Sequence, residues 1–343
     1  MNIDRINTRY DKFETQFIEN NNVRVLSTLD YHKSVFWQNF CTTLDVSQER
    51  GYRRIIKIVF YAMKLRHTYD RLFVTGGEKT DLIAVMILSF IPWVNKSVVI
   101  VDAHWQKKKG LLGLFQTFVL FTSKRILIRV QVHSREEEKI YPDIFPIDKS
   151  IIQVIPFSTS LMGYQIEVLN EGFMLSGGVS FRDYSPLLSI IDDIPLPVKL
   201  GIPGGLSDEY KSHKQKQSNK IKVFESWSNS EYFSQMSKCE IFLMPLKSNL
   251  NRTAGDQTIL NAMLMRKVVI ISDSITARTY IKHGVNGLIY SNDDPESLLH
   301  MINYWLSLDE EGKNTLLDNA FFAVNTRYSE RRRLLKTALL GVS

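Results

Sequence analysis

Residues 241–291 read IFLMPLKSNLNRTAGDQTILNAMLMRKVVIISDSITARTYIKHGVNGLIYS. The apolar run at 240–244 predicts a strand, 254–266 a helix opened by Gly255, and 268–272 a second strand. Two strands joined through one helix pair in parallel. A helix that starts beside glycine offers unpaired N–H groups and a positive dipole end, an anion site suited to a diphosphate. The N–H groups near Gly255, Asp256 and Gln257, with Thr258 on the first turn, are the candidate cradle. The same pattern also fits an ordinary unit with glycine at the N-cap, where Asp256 only complements the dipole.

The alternation continues outward from this stretch. Downstream come a helix over 276–283, a strand over 287–290, a helix over 295–307 and a helical tail from 309. Upstream lie a strand over 173–175, a helix over 183–191, a strand over 198–202, a charged loop at 207–221, a strand over 222–225 and a helix over 229–237. The first half shows the same rhythm. Strands are expected over 23–28, 72–75, 97–101, 126–132 and 151–156, and helices over 51–67, 80–94, 111–122 and 135–141. Such alternation predicts an α/β protein with parallel sheets covered on both faces. The polar connector 157–171 places the boundary between two α/β domains, 1–160 and 161–343, with the last helix free to pack back on the first. Ligands of such sheets lie outside the carboxyl ends of the strands, so the cleft between the domains is the expected site.

The chain has 343 residues, more than one core usually serves. Its two cysteines, Cys41 and Cys239, make neither a disulfide framework nor a metal motif. The N-terminal MNIDRINTRYDKFETQF lacks the apolar core of a signal peptide, and no window reaches the length of a spanning helix. The net charge of +7 is unevenly spread. Residues 1–160 hold 23 Lys and Arg against 16 Asp and Glu, and residues 161–343 hold 20 of each. The excess is densest after Asp102, where Lys107, Lys108, Lys109, Lys124, Arg125, Arg129 and Arg135 follow with no acid between them. One half is therefore expected to meet an anionic surface. The segment 105–125, WQKKKGLLGLFQTFVLFTSKR, admits attachment to anionic lipid through Lys107, Lys108 and Lys109, or a buried helix with solvated ends. No nucleic-acid module is visible, so nucleic acid is not an expected partner.

Other candidates sit at strand ends. Gly177 and Gly178 permit close backbone approach, and Arg182 is placed to pair with phosphate; a plain turn also accounts for them. His104, after the strand VVIVDA, is placed for a sugar hydroxyl or a departing phosphate, with Asp102 as the alternative polar group. Gly76 and Gly77 are acceptor-side candidates or a tight turn. No H-E-x-x-H, C-x-x-C or Asp-x-Asp pattern in convincing context occurs, so no metal is expected. Neither a G-x-x-x-x-G-K-[ST] loop nor a G-x-S-x-G elbow is present.

The stretch FLMPL…AGDQTILNAMLMRKVVIISDSITARTYIKHGVNGLIYSNDDPESLLHMI resembles the donor-binding half of group 1 (family 4-type) glycosyltransferases, because several pieces recur in order at the right spacing. The segment 173–184 resembles the opening of that half, and VHSREEEKIYPDIFPIDKSIIQVIPFST the end of the preceding domain. Residues 1–95 match in architecture only. The resemblance implies a GT-B architecture of two facing Rossmann-like domains. It also implies a retaining transfer from a nucleotide-diphosphate sugar, with no metal or other cofactor. The acceptor would be a glycan or lipid-linked, bound by the first domain at the cytoplasmic face of the membrane.

In that family an E-x7-E motif spans this loop and helix. Aligned on Ala262-Met263, its positions fall on Thr253 and Asn261, so both carboxylates are absent. The resemblance implies that Asn261 meets the ribose without charge, and that Asp256 supplies a carboxylate from a shifted position. The basic pair on the diphosphate would be Arg182 with Lys247 or Arg252, and the first-domain histidine would be His104. Two rival readings stay open: a catalytically silent nucleotide-sugar or partner module, and a GT-B nucleotide-sugar epimerase.

Overall fold

The computed structural model describes residues 23–31, 34–161, 164, 166–205 and 220–342. The N-terminal stretch read above for a leader, through residue 22, lies outside them, as do residues 207–219 of the charged loop. The chain divides into two compact units, Met1–Pro156 with Arg331–Ser343, and Phe157–Glu330. The division expected at 160/161 thus falls at Pro156/Phe157, and the last helix counts with unit 1.

Unit 1 holds six parallel strands: β1 (Val25–Ser27), β2 (Cys41–Thr43), β3 (Arg71–Thr75), β4 (Val98–Val101), β5 (Leu127–Val132) and β6 (Ile152–Val154). They lie in the order β2-β1-β3-β4-β5-β6. Helices α2 (Gly51–Lys64), α3 (Lys79–Ser89), α4 (Gly110–Ser123) and α5 (Arg135–Ile144) supply one core, through residues such as Ile58, Val85, Leu120 and Tyr141. Helices α1 (Val35–Phe40) and α12 (Glu330–Val342) supply a second core, with Trp37, Phe73 and Leu334. All four residues of β4 are buried, as expected for a strand covered on both faces. The pair α1 and β2 carries no sequence signal, since β2 is three residues long and two of them are exposed threonines. Helix α5 begins where its sequence says it should: Ser134 and Glu137 form a capping box.

A buried ion pair joins α2 to α3. Arg54 Nε donates to Asp81 Oδ1 at 2.6 Å and Nη2 donates to Oδ2 at 3.1 Å. Thr28 Oγ1, just past β1, donates to Asp81 Oδ2 at 2.6 Å. Asp81 is fully buried, so its charge is stable there only while these donors remain.

Unit 2 holds β7 (Met174–Gly177), β8 (Val198–Gly201), β9 (Ile221–Phe224), β10 (Ile241–Met244), β11 (Val268–Ser272) and β12 (Leu288–Tyr290), all parallel, in the order β12-β11-β10-β7-β8-β9. This is the doubly wound order in which chain direction across the sheet reverses between the first and fourth strands, here β7 and β10. Its helices are α6 (Ser185–Ser189), α7 (Asn229–Lys238), α8 (Asp256–Leu264), α9 (Ile275–Tyr280), α10 (Pro295–Ser307) and α11 (Glu310–Arg327). Ser228 with Glu231 caps α7, Asp294 followed by Pro295 opens α10, and Asp309 caps α11. Two α/β units with parallel sheets agree with the sequence reading. Among the described residues no helix is long and apolar enough to cross a membrane, and no group of three His, Cys, Asp or Glu could hold a metal ion. Cys41 and Cys239 are free thiols, both pushed up to about 12 by burial.

Asp81→Ala leaves Arg54 buried without its carboxylate, its Nη1 still donating to Val46 O. It should destabilise unit 1 by about 3–5 kcal/mol, read as a fall in the urea midpoint for unfolding of that unit. A change under about 1 kcal/mol would show that water compensates the guanidinium.

Candidate functional site

The carboxyl ends of β7, β8 and β9 in unit 2 each finish in a residue that the local packing demands. At Gly177 a Cβ would lie 2.6 Å from the Tyr232 ring, and at Gly201 it would lie 2.7 Å from the Trp227 ring. These glycines let two aromatic side chains of the β9–α7 region close over the sheet edge. Phe224, at the end of β9, stacks on Trp227 with centroids 4.2 Å apart and planes 16° from parallel. A cavity of ≈ 170 Å³ opens here. Gly177, Gly178 and Gly201 contribute backbone to it, Phe224, Trp227 and Tyr232 contribute aromatic surface, and Arg182 and Thr258 contribute polar groups. Two larger hollows of ≈ 630 Å³ lie in unit 1 around the amino ends of β1 to β4, the end that ligands of parallel sheets do not use.

Arg182 is the charged residue of the cavity. It follows β7, and its backbone bridges to Leu246 after β10, so it stands at the reversal point of the sheet. It is 8% exposed. Nε donates to Gly177 O and Nη1 to Ser180 O, each at 3.1 Å. Nη2 lies 3.5 Å from where a Cβ on Gly178 would stand and 3.0 Å from where one on Gly255 would stand. Gly255 also has φ of 73°, the left-handed region that disfavours a side chain. Burial lowers the Arg182 pKa, and Tyr184, Tyr232 and Asp256 act against that loss. A buried guanidinium beside a helix N-terminus brings two sources of positive potential together, which favours an anion there.

Tyr232 carries the other notable polar atom. Its hydroxyl is buried without a hydrogen-bond partner among the described residues, and burial drives its pKa well up. Such a group costs stability unless something fills the gap. Phe224, Trp227, Tyr232 and Gly201 were not read from the sequence as site residues. The available signal was the aromatic Trp227 set between a strand end and the Ser228–Glu231 capping box.

Other sequence candidates fall elsewhere. Asp256, at the first position of α8, is buried, and its Oδ2 accepts from Thr253 Oγ1 at 2.7 Å and from Tyr280 Oη at 3.1 Å. Thr253 is fully buried, so both residues pin the loop before α8 to α9. Asn261 is 1% exposed. Its Oδ1 accepts from Thr159 Oγ1 at 2.8 Å and from Ser160 N at 3.1 Å, while Nδ2 donates to Ser160 Oγ at 3.2 Å. The Asn261 side chain, expected to meet a ribose, here clamps the connector. Arg252 donates to Thr253 O at 2.8 Å and lies over the Phe181 ring at 5.3 Å. Lys247 and Gln257 are exposed.

In unit 1, β4 ends at Asp102, whose φ of 56° is unusual for a residue other than glycine. Its Oδ1 lies 2.8 Å from His133 Nε2 and accepts from Gln131 Nε2 at 3.2 Å, and its Oδ2 accepts from Arg333 Nη2 at 2.5 Å. Burial opposes the Asp102 charge, but Arg333 and His133 outweigh it and hold the carboxyl far below the usual range. The His104 ring stands edge-on to His133 with centroids 4.1 Å apart. Gly76 is buried and must lack a side chain, since a Cβ there would lie 2.7 Å from Ala103 Cα, and its carbonyl accepts from Trp105 Nε1 at 2.9 Å. Gly77 is exposed, with its N–H on Thr75 Oγ1. Lys107 Nζ donates to Ile144 O, Lys108 N donates to Gln116 Oε1, and Lys109 is the N-cap of α4.

Asn261→Ala should lower the stability of unit 2 by about 1–3 kcal/mol, because the Thr159 and Ser160 groups lose a buried partner. Nucleotide affinity at saturating folded protein should stay within about twofold, since the side chain faces the connector. Tyr232→Phe removes a polar atom that has no partner and should leave the melting temperature unchanged or higher; a large fall would place a water or a protein group on that hydroxyl.

The family description "Glycosyl transferases group 1" matches residues 191–320, within unit 2. No curated protein matches the chain in sequence. Among solved structures, HepE of Anabaena in complex with UDP and glucose is 15% identical, with a TM-score of 0.68 over 93% of this chain and 99% of that one. A glycosyltransferase of Rickettsia africae is 13% identical, with a TM-score of 0.64 over 96% and 91%. The sucrose-phosphate synthase of Thermosynechococcus elongatus is 14% identical, with a TM-score of 0.61 over 88% and 82%. These likenesses establish the GT-B type of fold. Residues 191–320 thus form a domain that resembles group 1 glycosyltransferases, set in a fold of the GT-B type.

Proposed function

We propose that the donor is a nucleoside-diphosphate sugar bound at the carboxyl ends of the unit 2 strands, and that the observation carrying this is Arg182. The guanidinium is fixed on one side by Gly177 O and Ser180 O and faces the Gly255 turn on the other. A diphosphate set against it also meets the N–H groups of Asp256 and Gln257 at the start of α8. The stacked Phe224–Trp227 pair offers a flat apolar surface for the base, and the Tyr232 hydroxyl is a donor in search of an acceptor. HepE, whose fold this chain shares, was crystallised with UDP-glucose, which supports a uridine nucleotide as the first ligand to try.

In this reading the transfer retains anomeric configuration and uses no metal. The charge that builds on the leaving diphosphate as the glycosidic C–O bond breaks is stabilised by Arg182 and the α8 dipole, a fixed electrostatic environment that needs no reorganisation. The departing phosphate oxygen accepts the acceptor proton on the face where the acceptor attacks. His104, held against His133, is the unit 1 residue we assign to the acceptor, beside Gly76 and Gly77. The acceptor is a glycan or a lipid-linked glycan, and the excess of 23 basic over 16 acidic residues in 1–160 supports a site at the anionic cytoplasmic face of a membrane.

One observation favours a second reading, a module that binds a nucleotide sugar without transferring it. Thr253 and Asn261 stand where the resembling family has carboxylates, and both are sealed into the chain's own hydrogen bonds. Donor hydrolysis or transfer by the purified chain, abolished in Arg182→Ala, removes that reading.

Arg182→Ala should weaken UDP binding by about 1.5–3 kcal/mol, roughly ten- to a hundredfold, measured by calorimetry, and should erase the thermal shift that UDP produces in the parent chain. Unchanged affinity would remove Arg182 from the diphosphate site.

A further inference from the structure

Helices α2, α3 and α4 lie side by side over one face of the unit 1 sheet, and the surface they turn outward is apolar. On α4, Leu111 is 84% exposed, Leu112 70% and Leu114 69%, and Phe115, Phe118 and Phe121 are exposed as well. Only Val119, Leu120 and Ser123 of that helix are buried. The buried-helix reading of this segment therefore fails. On α2, Tyr52, Ile56 and Phe60 are exposed at intervals of four, which stacks them on one face. Phe90 and Trp93, in the turn after α3, are exposed too. An exposed apolar surface this broad on one layer of a folded domain marks an interaction site.

Charge decides the occupant. The only carboxylate within the three helices is Asp81, which is buried on Arg54. Lys107, Lys108 and Lys109 precede α4, and no acidic residue stands in its first turn. Three ammonium groups at the positive end of a helix dipole are unfavourable in water alone and favourable against an anionic plane. Helix α2 repeats the arrangement, with Arg50 as N-cap, Arg53 in the first turn and no acid there. A second copy of the chain would bring like charges together across a two-fold axis, which disfavours self-association through this face. We infer that the outer face of α2, α3 and α4 docks on an anionic lipid bilayer, with Leu111, Leu112, Leu114, Phe118 and Phe121 entering the acyl boundary and the lysines meeting headgroups. Aromatic and aliphatic residues flanked by lysine are the composition that such an interface takes. This deepens the membrane-face acceptor reading given above and rests on it only for its purpose.

The test is co-sedimentation of the full chain with vesicles of phosphatidylcholine alone and of phosphatidylcholine with phosphatidylglycerol. The parent chain should partition to the anionic vesicles, and raising the salt should weaken but not abolish the binding, because the apolar part is not screened. Leu112→Glu with Phe118→Glu should lower the partition by at least about tenfold at both salt concentrations. Lys108→Glu with Lys109→Glu should lower it chiefly at low salt. Because these side chains are exposed, each variant should keep the parent's melting temperature and its UDP-dependent shift, which separates this inference from the donor site. Absence of partition by the parent chain, or equal partition by the Leu112 and Phe118 variant, overturns it. So does a dimer of the parent chain, seen in sedimentation velocity, that the same variant dissociates. Vesicle binding without any UDP response would sink the donor reading and leave this one standing.

Discussion

Arg182 is a cation that has been taken out of water at the point where the unit 2 sheet reverses direction. Two backbone carbonyls orient it but do not neutralise it. The glycines around it follow from that placement: Gly178 and Gly255 leave space at its guanidinium that any side chain would take. The same sheet edge needs Gly177 and Gly201 bare so that Tyr232 and Trp227 can close over it. A positive, partly dry cavity with an aromatic wall results from close backbone approach, which parallel strands permit only at their ends, because their faces are covered.

Unit 1 solves a different problem. Its carboxyl-end charge, Asp102, is matched from within by His133 and by Arg333 of the C-terminal helix, and Thr337 of that helix donates to Gln131 at 3.1 Å. The last helix is thereby tied by buried polar groups as well as by Leu334 and Ala338. Breaking such a network exposes the full desolvation cost of whichever charge is left. His104 is held against this fixed cluster and has a rigid neighbour in His133.

The chain departs from the resembling family at two carboxylates, and its packing shows what the replacements do. Asn261 carries no charge and closes hydrogen bonds to Thr159 and Ser160, and Thr253 donates to Asp256. The region has a helix start and a glycine turn, and both positions act as internal fastenings. Around the Gly255 turn, positive potential then comes from Arg182 and the start of α8.

The strand–helix rhythm, the parallel sheets, the glycine turn before α8 and the basic first half were all legible in the sequence. These are local or additive properties: periodicity records which faces are buried, and charge can be counted. The pair α1 and β2 was not legible, because a three-residue edge strand has no pattern to read. Nor was the direction in which a polar side chain turns. Asn261 and Arg182 both read as donor ligands. Only the packed chain shows that Asn261 meets Thr159, more than a hundred positions earlier in the sequence, while Arg182 meets the Gly255 turn. The exposure of α4 was equally undecided, since an apolar helix reads alike whether a protein core or a lipid surface covers it. Which of several partners satisfies a side chain is settled by approach between distant segments, and that information exists only in three dimensions.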